Sequence, residues 1–234
     1  MYVGPKIVTR GLLVDLDASA PRSAPNQSSG WDNLVDGGGV KTNAKTGSPL
    51  LTTLGGVKTW RFTADGQFFE SNLLGTDNQP YLDATVEAWI YPEEELTVGD
   101  RGTVLRLNGN RSLYMSWNKS NRKLSTYWYS HATNGYWETG AAMARNEWHH
   151  MCSVHRYSQD LCDQYTDGVK TTASPTQADS TTYSSVNPGQ AVEVGRENSG
   201  RQFAGGIYIL RIYDIALTDK EVLNNYNAMK HRFK

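Results

Sequence analysis

The chain has 234 residues with 23 basic and 24 acidic side chains, which give a formal net charge of −1. That length fits a single domain with a buried core, and the charge balance argues against a nucleic-acid track. No apolar run reaches the roughly 20 residues that a membrane-spanning helix needs. The opening MYVGPKIVTRGLLVDLD lacks the apolar stretch of a signal peptide, so we expect neither export by that route nor membrane insertion.

Short segments rich in Val, Ile, Tyr, Trp and Thr follow one another along the chain between turns rich in Gly and Asn. This cadence predicts many short antiparallel strands, and hence a β-sandwich or barrel. Two regions between them, 18–59 and 170–190, are rich in Ser, Thr, Asn, Gly and Pro and are predicted to be long loops. The predicted strands are residues 11–18, 60–63, 84–92, 102–108, 112–117, 123–130, 147–156, 161–168, 191–195 and 205–214.

The segment TVEAWIYP alternates between two faces of its predicted strand. Val86, Ala88 and Ile90 are expected on one face, because successive side chains of a strand point to opposite sides. The residues between them, Glu87, Trp89 and Tyr91, are expected on the other.

The stretch NEWHHMCSVH, residues 146–155, brings three histidines and a cysteine together and raises the question of a metal site. In an extended strand His150 and Cys152 share one face, while His149 and His155 share the other. One strand therefore cannot close a four-ligand zinc cage, although an i, i+2 pair could supply half a site with ligands from elsewhere. We interpret the stretch as a core strand in which the histidine rings bond to neighbouring groups.

Two further side-chain sets bear on metals and redox chemistry. Cys152 and Cys162 do not form a disulfide framework and fit a reducing compartment, and the sequence leaves open whether they are bridged. Asp160, Asp163 and Asp167 offer oxygen ligands for calcium, but the twelve-residue calcium loop is missing. We predict no metal and no cofactor.

One helix is predicted at the carboxyl end, over residues 218–231. Thr218 is followed three residues later by Glu221, the pattern of a capping box. An apolar stripe then predicts that the helix packs flat against the sandwich. The stripe consists of Val222, Leu223, Tyr226 and Met229.

Several motifs occur in a fixed order along nearly the whole chain. They are GLLVDLDASAPRS (11–23), WDNL (31–34), WRFTADGQFFESN (60–72), VEAWIYP (86–92), NEWHHMCSVHR followed by QYTDGV (164–169), and the closing VEVG to HRF. In this order they resemble the concanavalin A-like (laminin G-like) jelly-roll superfamily, in the form common in secreted bacterial proteins and phage virion proteins. The ending EVLNNYNAMKHRF is similar to the phage-borne versions.

The resemblance implies an all-β fold, a concanavalin A-like jelly-roll sandwich of two antiparallel sheets with one C-terminal helix. We expect a short N-terminal arm over residues 1–10. Residues 11–234 then form a single laminin G-like domain that includes the helix.

Glucanases also share this fold, so an enzyme is an alternative. Their two carboxylates come from one strand with the pattern Glu-x-Asp-x-x-Glu, and a retaining glycosidase needs them ~5–5.5 Å apart. In DLDASA, Asp15 and Asp17 share a face, but Ala20 stands where the second glutamate belongs. We therefore predict that the chain is not an enzyme.

Aromatic residues are concentrated between residues 111 and 137, in a mixture with Asn and small polar side chains. Flat rings can hold the C–H faces of sugars while polar groups bond the hydroxyls, and such rings also suit a protein interface. We predict core packing for Trp89, Trp117 and Trp148, and a loop over residues 130–140. The aromatic residues are Tyr114, Trp117, Tyr127, Trp128, Tyr129, Tyr136 and Trp137, and the candidate glycan contacts are Trp128, His131, Asn134, Tyr136 and Trp137.

The sequence as a whole predicts a non-enzymatic structural and adhesion protein of a phage particle, as a capsid decoration or a tail or fibre component. We expect other virion proteins as partners and host cell-surface glycans as ligands, with no nucleic acid and with homo-oligomerisation left open. The alternatives are a free carbohydrate-binding lectin module of a larger secreted system and a polysaccharide-degrading enzyme.

Overall fold

The computed structural model describes residues 5–27, 30–35, 41–44, 47–71, 83–93, 101–108, 113–128, 134–156, 159, 161–172, 177–179, 191–196 and 201–233. Within these residues the strands are β1 (Leu12–Asp17), β2 (Trp31–Asp32), β3 (Lys41–Ala44), β4 (Leu50–Leu54), β5 (Val57–Phe62), β6 (Phe69–Ser71), β7 (Asp83–Pro92), β8 (Arg101–Asn108), β9 (Leu113–Asn118), β10 (Lys123–Trp128), β11 (Asn134–Ala142), β12 (His149–Arg156), β13 (Leu161–Thr166), β14 (Val169–Thr172), β15 (Gln177–Asp179), β16 (Ala191–Val194) and β17 (Gly205–Tyr213). A helix α1 (Asp219–Met229) and a 3₁₀-helix (Lys230–Phe233) follow them.

The strands form two sheets. The eight-stranded sheet has the order β14-β13-β12-β7-β17-β5-β4, with β1 also paired to β17. The nine-stranded sheet has the order β15-β11-β10-β9-β8-β16-β6-β3-β2. Central strands of both sheets pair with antiparallel neighbours. The predicted all-β jelly-roll sandwich of two antiparallel sheets with one C-terminal helix is confirmed.

Each of the ten predicted strands is present, with small differences at its ends. The long loops predicted over 18–59 and 170–190 are wrong in part, because these regions contain β2, β3, β4, β14 and β15. In the first region, β4 and β5 form a hairpin around Gly55 and Gly56, whose φ angles are 51° and 79°. Positive φ at both central residues is typical of the tight turns that join antiparallel strands. These strands form because their backbones pair with neighbouring strands, and the composition of a segment does not show which partner it will pair with.

The core lies between the two sheets, and β7 is central to it. Val86, Ala88 and Ile90 are buried in this core, as the alternation predicts. On the opposite face of β7, the Trp89 ring stacks on Tyr226 of α1 at 5.6 Å between ring centroids. The eight-stranded sheet is therefore covered on both faces at β7, by the other sheet and by the helix.

The strand β12 confirms the two-faced interpretation of NEWHHMCSVH. Ser153 Oγ lies 2.5 Å from Thr126 Oγ1 of the other sheet, so its face points into the sandwich. Cys152 and Val154 pack on the other face, in a cluster with Val222 of α1. The predicted core packing of tryptophans is confirmed for Trp89 and Trp117, which are buried. Trp148 is half-buried just before β12, and its Nε1 donates to the Leu54 carbonyl at 3.2 Å.

The two cysteines are buried free thiols. The strand register aligns Cys162 with His155 and Cys152 with Tyr165, so the two cysteines are not opposite each other. Cys162 belongs to the core between the sheets, whereas Cys152 lies on the helix side. Burial raises the pKa of both thiols, which disfavours the reactive thiolate.

The helix α1 begins with the predicted capping box: Glu221 N–H donates to the Thr218 side chain, and the Glu221 carboxylate accepts from the Thr218 backbone. Val222 and Met229 are buried, but the prediction for Leu223 is wrong, because 46% of it is exposed. Successive residues of a helix point about 100° apart, so Leu223 points away from the sheet that Val222 contacts. Neither helical segment of the described chain is long and apolar enough to cross a membrane.

The described part of the N-terminal arm lies along α1. Val8 N–H donates to Asn225 Oδ1 at 2.8 Å, and the Val8 carbonyl accepts from Tyr213 Oη at 3.2 Å. The Lys6 carbonyl accepts from Asn224, and Arg10 forms an ion pair with Glu221. The arm is therefore bound to the domain through backbone groups of Lys6 and Val8 and through the Arg10 side chain.

Candidate functional site

A single transverse row of polar and aromatic residues crosses eight strands of the nine-stranded sheet. Each member is the direct register partner of the next, so the row runs perpendicular to the strands. In sheet order from β15 to β3, the row is Gln177, Tyr136, Tyr127, Tyr114, Arg106, Glu193, Glu70 and Asn43. We call it the tyrosine row.

The row faces away from the other sheet, because the residues on either side of it along the strands face the core. Leu105 and Leu107 flank Arg106 and are buried. Val192 and Val194 flank Glu193 in the same way and belong to the same core cluster. Alternation therefore places the five described side chains of the row on the outer face. They are Glu70, Glu193, Arg106, Tyr114 and Tyr127.

An ion pair lies at the middle of the tyrosine row. Arg106 Nη1 is 3.1 Å from Glu193 Oε2, and the side chains are only 7% and 6% exposed. The Arg106 guanidinium also lies 5.4 Å from the centroid of the Tyr114 ring, within the range of a cation–π contact. Tyr114 and Tyr127 meet edge to face, with centroids 6.4 Å apart and planes at 87°. The guanidinium thus fixes the first of two half-buried rings.

A second polar row lies next to it on the same face, two residues away on β9, β10 and β11 and three residues away on β8, where the register shifts between Thr103 and Leu105. It contains Glu138, Ser125, Ser116 and Thr103 in register order, and we call it the serine row. Thr103 Oγ1 and Ser116 Oγ are 3.2 Å apart. Asn118 Nδ2 donates to Glu138 Oε2 at 2.8 Å, so an amide and a carboxylate stand at the end of the row. The outer face is therefore polar over two consecutive rows.

The predicted glycan contacts are distributed over this region. The predicted loop over residues 130–140 is wrong for residues 134–140, since β11 spans Asn134–Ala142, and residues 130–133 lie outside the described residues. Tyr136 is a register member of the tyrosine row, between Tyr127 and Gln177. Trp128 is aligned with Leu113, and Trp137 with Thr126. His131 lies outside the described residues. The assignment of these residues to glycan binding stays a prediction.

The three charged members of the row were not predicted from the sequence: Arg106, Glu193 and Glu70. They come from β8, β16 and β6, which are far apart along the chain, and only the sheet register aligns them. A local signal was present. In LRL (105–107) and VEV (192–194), one charged residue stands between two apolar ones, the pattern of a strand with one outer face.

The outer face of the other sheet carries a second polar cluster, which we call the helix-side network. Arg211 donates to Glu87 at 2.9 Å and to Asp15 at 2.8 Å. The side chains of Arg211 and Glu87 are buried, and that of Asp15 is 13% exposed. Asn225 of α1 donates to both Glu87 oxygens at 3.3 and 3.2 Å. His150 Nε2 lies 3.4 Å from Glu87 Oε2.

The two carboxyls of this network have opposite pKa shifts. Burial alone would raise the pKa of Glu87, but the contacts with His150 and Arg211 outweigh it and lower the pKa to about 2. Burial dominates at Asp15 and raises its pKa despite Arg211. Asp17, the other half of the sequence-derived carboxylate pair, accepts from the Ser19 backbone and hydroxyl. This pair lies on the helix side, not in the outer face of the nine-stranded sheet.

Two of the three aspartates considered as calcium ligands are bonded to basic side chains or histidine. Among the described residues, no group of three or more His, Cys, Asp or Glu side chains is placed to hold a metal ion. Asp163 forms ion pairs with Arg156 and Lys170, and Asp167 bonds to His149 at 2.9 Å. Asp160 lies outside the described residues.

Residues 62–223 match the family described as the concanavalin A-like lectin/glucanases superfamily. No curated protein matches the chain. Among solved structures, domain 4 of AbnA, an extracellular GH43 arabinanase from Geobacillus stearothermophilus in complex with arabinotriose, is 14% identical with a TM-score of 0.64. That match covers 92% of this chain and 98% of the domain.

Two further structures belong to longer proteins. A Trypanosoma rangeli sialidase in complex with the inhibitor DANA is 15% identical, with a TM-score of 0.65 and coverage of 97% of this chain and 34% of the sialidase. A botulinum neurotoxin serotype D binding domain is 12% identical, with a TM-score of 0.61 and coverage of 94% of this chain and 52% of that one. The chain thus spans about a third and about half of these two neighbours. Similarity at these identities shows the fold alone.

Proposed function

The chain belongs to the concanavalin A-like lectin/glucanases superfamily, and from that premise we propose that it is a non-enzymatic module that binds glycans on the tyrosine row. The observation that carries the proposal is the register of the row, which aligns tyrosines with charged and amide residues across eight strands. Such a row gives a chain of sugar units a flat surface.

The chemistry of the row suits carbohydrate. The rings of Tyr114 and Tyr127 offer flat apolar faces and a polar hydroxyl each, and both are half-buried rather than sealed in the core. Glu70, three strands from Tyr114 in the same row, is also half-buried and offers acceptors for sugar hydroxyls. A site that combines rigid rings with a few oriented polar groups is the usual composition of a small-ligand surface.

Two features support a binding role rather than catalysis. Glu70 and Glu193 are direct register partners on neighbouring strands, so they have to be considered as a glycosidase pair. Glu193 is buried and already bound to Arg106, which fits an ion pair of the floor rather than a nucleophile open to substrate. Asp15 is similarly bound to Arg211 on the opposite side of the molecule.

A glycan array with the purified chain tests the binding proposal. We expect binding that Tyr114→Ala and Tyr127→Ala each weaken by about tenfold, because each removes one aromatic contact worth roughly 1–2 kcal/mol. Tyr91→Ala is the matched control, since it removes a half-buried ring from the other sheet. Equal losses for all three variants, or no bound glycan at all, would reject the proposal.

An assay for reducing ends tests the non-enzymatic part. We expect no sugar release from polysaccharides that the chain binds. Release that is lost in Glu70→Gln, while binding is retained, would establish a glycosidase at the tyrosine row instead.

We further propose that the module is carried on a phage particle, as a capsid decoration or a tail or fibre component, with other virion proteins as partners. The support is the resemblance of the ending EVLNNYNAMKHRF to phage-borne versions of the fold. Mass spectrometry of purified virions from the source is the test. Stoichiometric presence of the chain is expected, and its absence from virions would leave a free lectin module as the alternative.

A further inference from the structure

The charged residues on the outer face of the nine-stranded sheet bear on the class of glycan that the face accepts. This inference rests on the proposed function. Arg101 is aligned with Asn118, and Lys123 precedes the core-facing Leu124, so both belong to the same outer face as the two rows. The charged side chains described on that face include Asp32, Glu70, Glu138 and Glu193, and Arg101, Arg106 and Lys123, so acidic groups outnumber basic ones by four to three.

Proteins that bind anionic sugars or phosphates supply a guanidinium whose donors are aimed at the ligand. In the tyrosine row the guanidinium of Arg106 is instead bonded to Glu193 at 3.1 Å and lies over the Tyr114 ring. Its charge is therefore compensated within the floor of the site. Glu70, the register partner of Glu193, lies beside the pair and is partly exposed.

We propose that the tyrosine row selects uncharged glycans, and that Glu193 is the residue that sets this preference by neutralising Arg106. The pair is buried, so the attraction between its members is poorly screened by water, and salt in the medium acts on it weakly. Removing only the negative member leaves a cation in the floor, next to the tyrosine rings. The preference for uncharged sugars then reverses towards acidic ones.

The test is an array of matched pairs: neutral oligosaccharides beside the same sugars carrying sialic or uronic acid, and N-acetylated beside free-amine oligosaccharides. The wild-type chain is expected to bind a neutral member at least tenfold more tightly than its acidic counterpart. Glu193→Gln, which keeps the shape of the side chain, is expected to lower that ratio by tenfold or more. The double variant Arg106→Gln with Glu193→Gln is uncharged at the pair and is expected to keep the wild-type ratio.

Each outcome decides one claim. If the wild type prefers acidic or amine-bearing members, the inference is wrong while the proposed glycan binding stands. If the wild type binds no sugar on the array, the proposed function fails and this inference fails with it. If Glu193→Gln does not fold, the wild-type ratios still decide the preference: tighter binding of the neutral members supports the inference, and equal or tighter binding of the acidic members overturns it.

Discussion

Two arginine–glutamate pairs with nearly the same geometry lie on the outer faces of the two sheets. Arg211 and Glu87 are 2.9 Å apart beneath α1, and Arg106 and Glu193 are 3.1 Å apart in the tyrosine row. All four side chains are buried. The pairs differ in their surroundings, because the first is covered by groups of the C-terminal helix, while the second lies between half-buried Tyr114 and half-buried Glu70.

The difference shows that the same two residue types serve different purposes in one fold. In the helix-side network, Asn225 donates to Glu87 and also accepts from Val8 N–H, so one side chain joins the sheet, the helix and the N-terminal arm. That arrangement holds chain termini in place. In the tyrosine row the guanidinium positions a ring at the surface. We therefore assign stability to the first pair and recognition to the second.

The largest effect is expected for Arg211→Met. It leaves Glu87 and Asp15 buried without their shared cation, and breaking a buried ion pair in this way costs about 3–5 kcal/mol of unfolding free energy. Arg106→Met leaves one carboxylate, Glu193, without its cation and should cost less. Urea denaturation of both variants is the measurement, and an equal or larger cost for Arg106→Met would contradict the assigned roles.

The second-largest effect on the free energy of unfolding is expected from acidification, which should weaken the helix-side network. The pKa of Glu87 falls from its usual 4.5 to about 2 in the folded chain, so its contribution is complete above pH 4.5 and is lost as the pH falls towards 2. Acting alone this is about 3 kcal/mol. The raised pKa of Asp15 acts in the opposite direction and offsets part of it. Unfolding free energies measured from pH 6 to pH 2.5 should show the loss, and Glu87→Gln should flatten it; an unchanged slope in that variant would count against the network.

Asn225→Leu should cost about 1–3 kcal/mol, because it leaves buried partners of its amide without hydrogen bonds. Hydrogen exchange at the Val8 amide should become faster at the same time, since its acceptor is removed. Leu223→Ala on the exposed side of α1 is the control and should change neither quantity. Unaltered exchange at Val8 would show that the arm is held in another way.

The smallest effect concerns the start of α1. Thr218→Ala removes one half of the capping box and should cost about 1 kcal/mol. Arg10→Ala removes an ion pair with Glu221 in which the arginine is 61% exposed, and it should cost less. Thermal unfolding compares the two. A larger loss for Arg10→Ala would mean that the arm, rather than the cap, stabilises this end of the helix.

Much of the fold could be predicted because its signals are local. Alternation in TVEAWIYP identified both faces of β7, and Thr218 with Glu221 identified the start of α1. The strands β4 and β11 were missed because Thr- and Gly-rich segments have the composition of loops. They form strands because their backbones bond to β5 and β10, and this pairing depends on two segments that are separate in the sequence.

The candidate site was less predictable for the same reason. Tyr114 and Tyr127 stood out as aromatics in one stretch of sequence, but their alignment with Arg106 and Glu193 depends on the order β10-β9-β8-β16 in the sheet. No spacing along the chain encodes that order. The charged residue in VEV was visible as an outward position, yet its partner is 87 residues away.

The most direct test of the central claim is an NMR titration of the isotopically labelled chain with a glycan that it binds. Glycan binding at the tyrosine row predicts that the amide signals of β8, β9, β10 and β16 shift together in one saturable process, while those of β7, β17 and α1 stay unchanged. Shifts confined to α1 and the eight-stranded sheet, with the tyrosine row unaffected, would contradict the account.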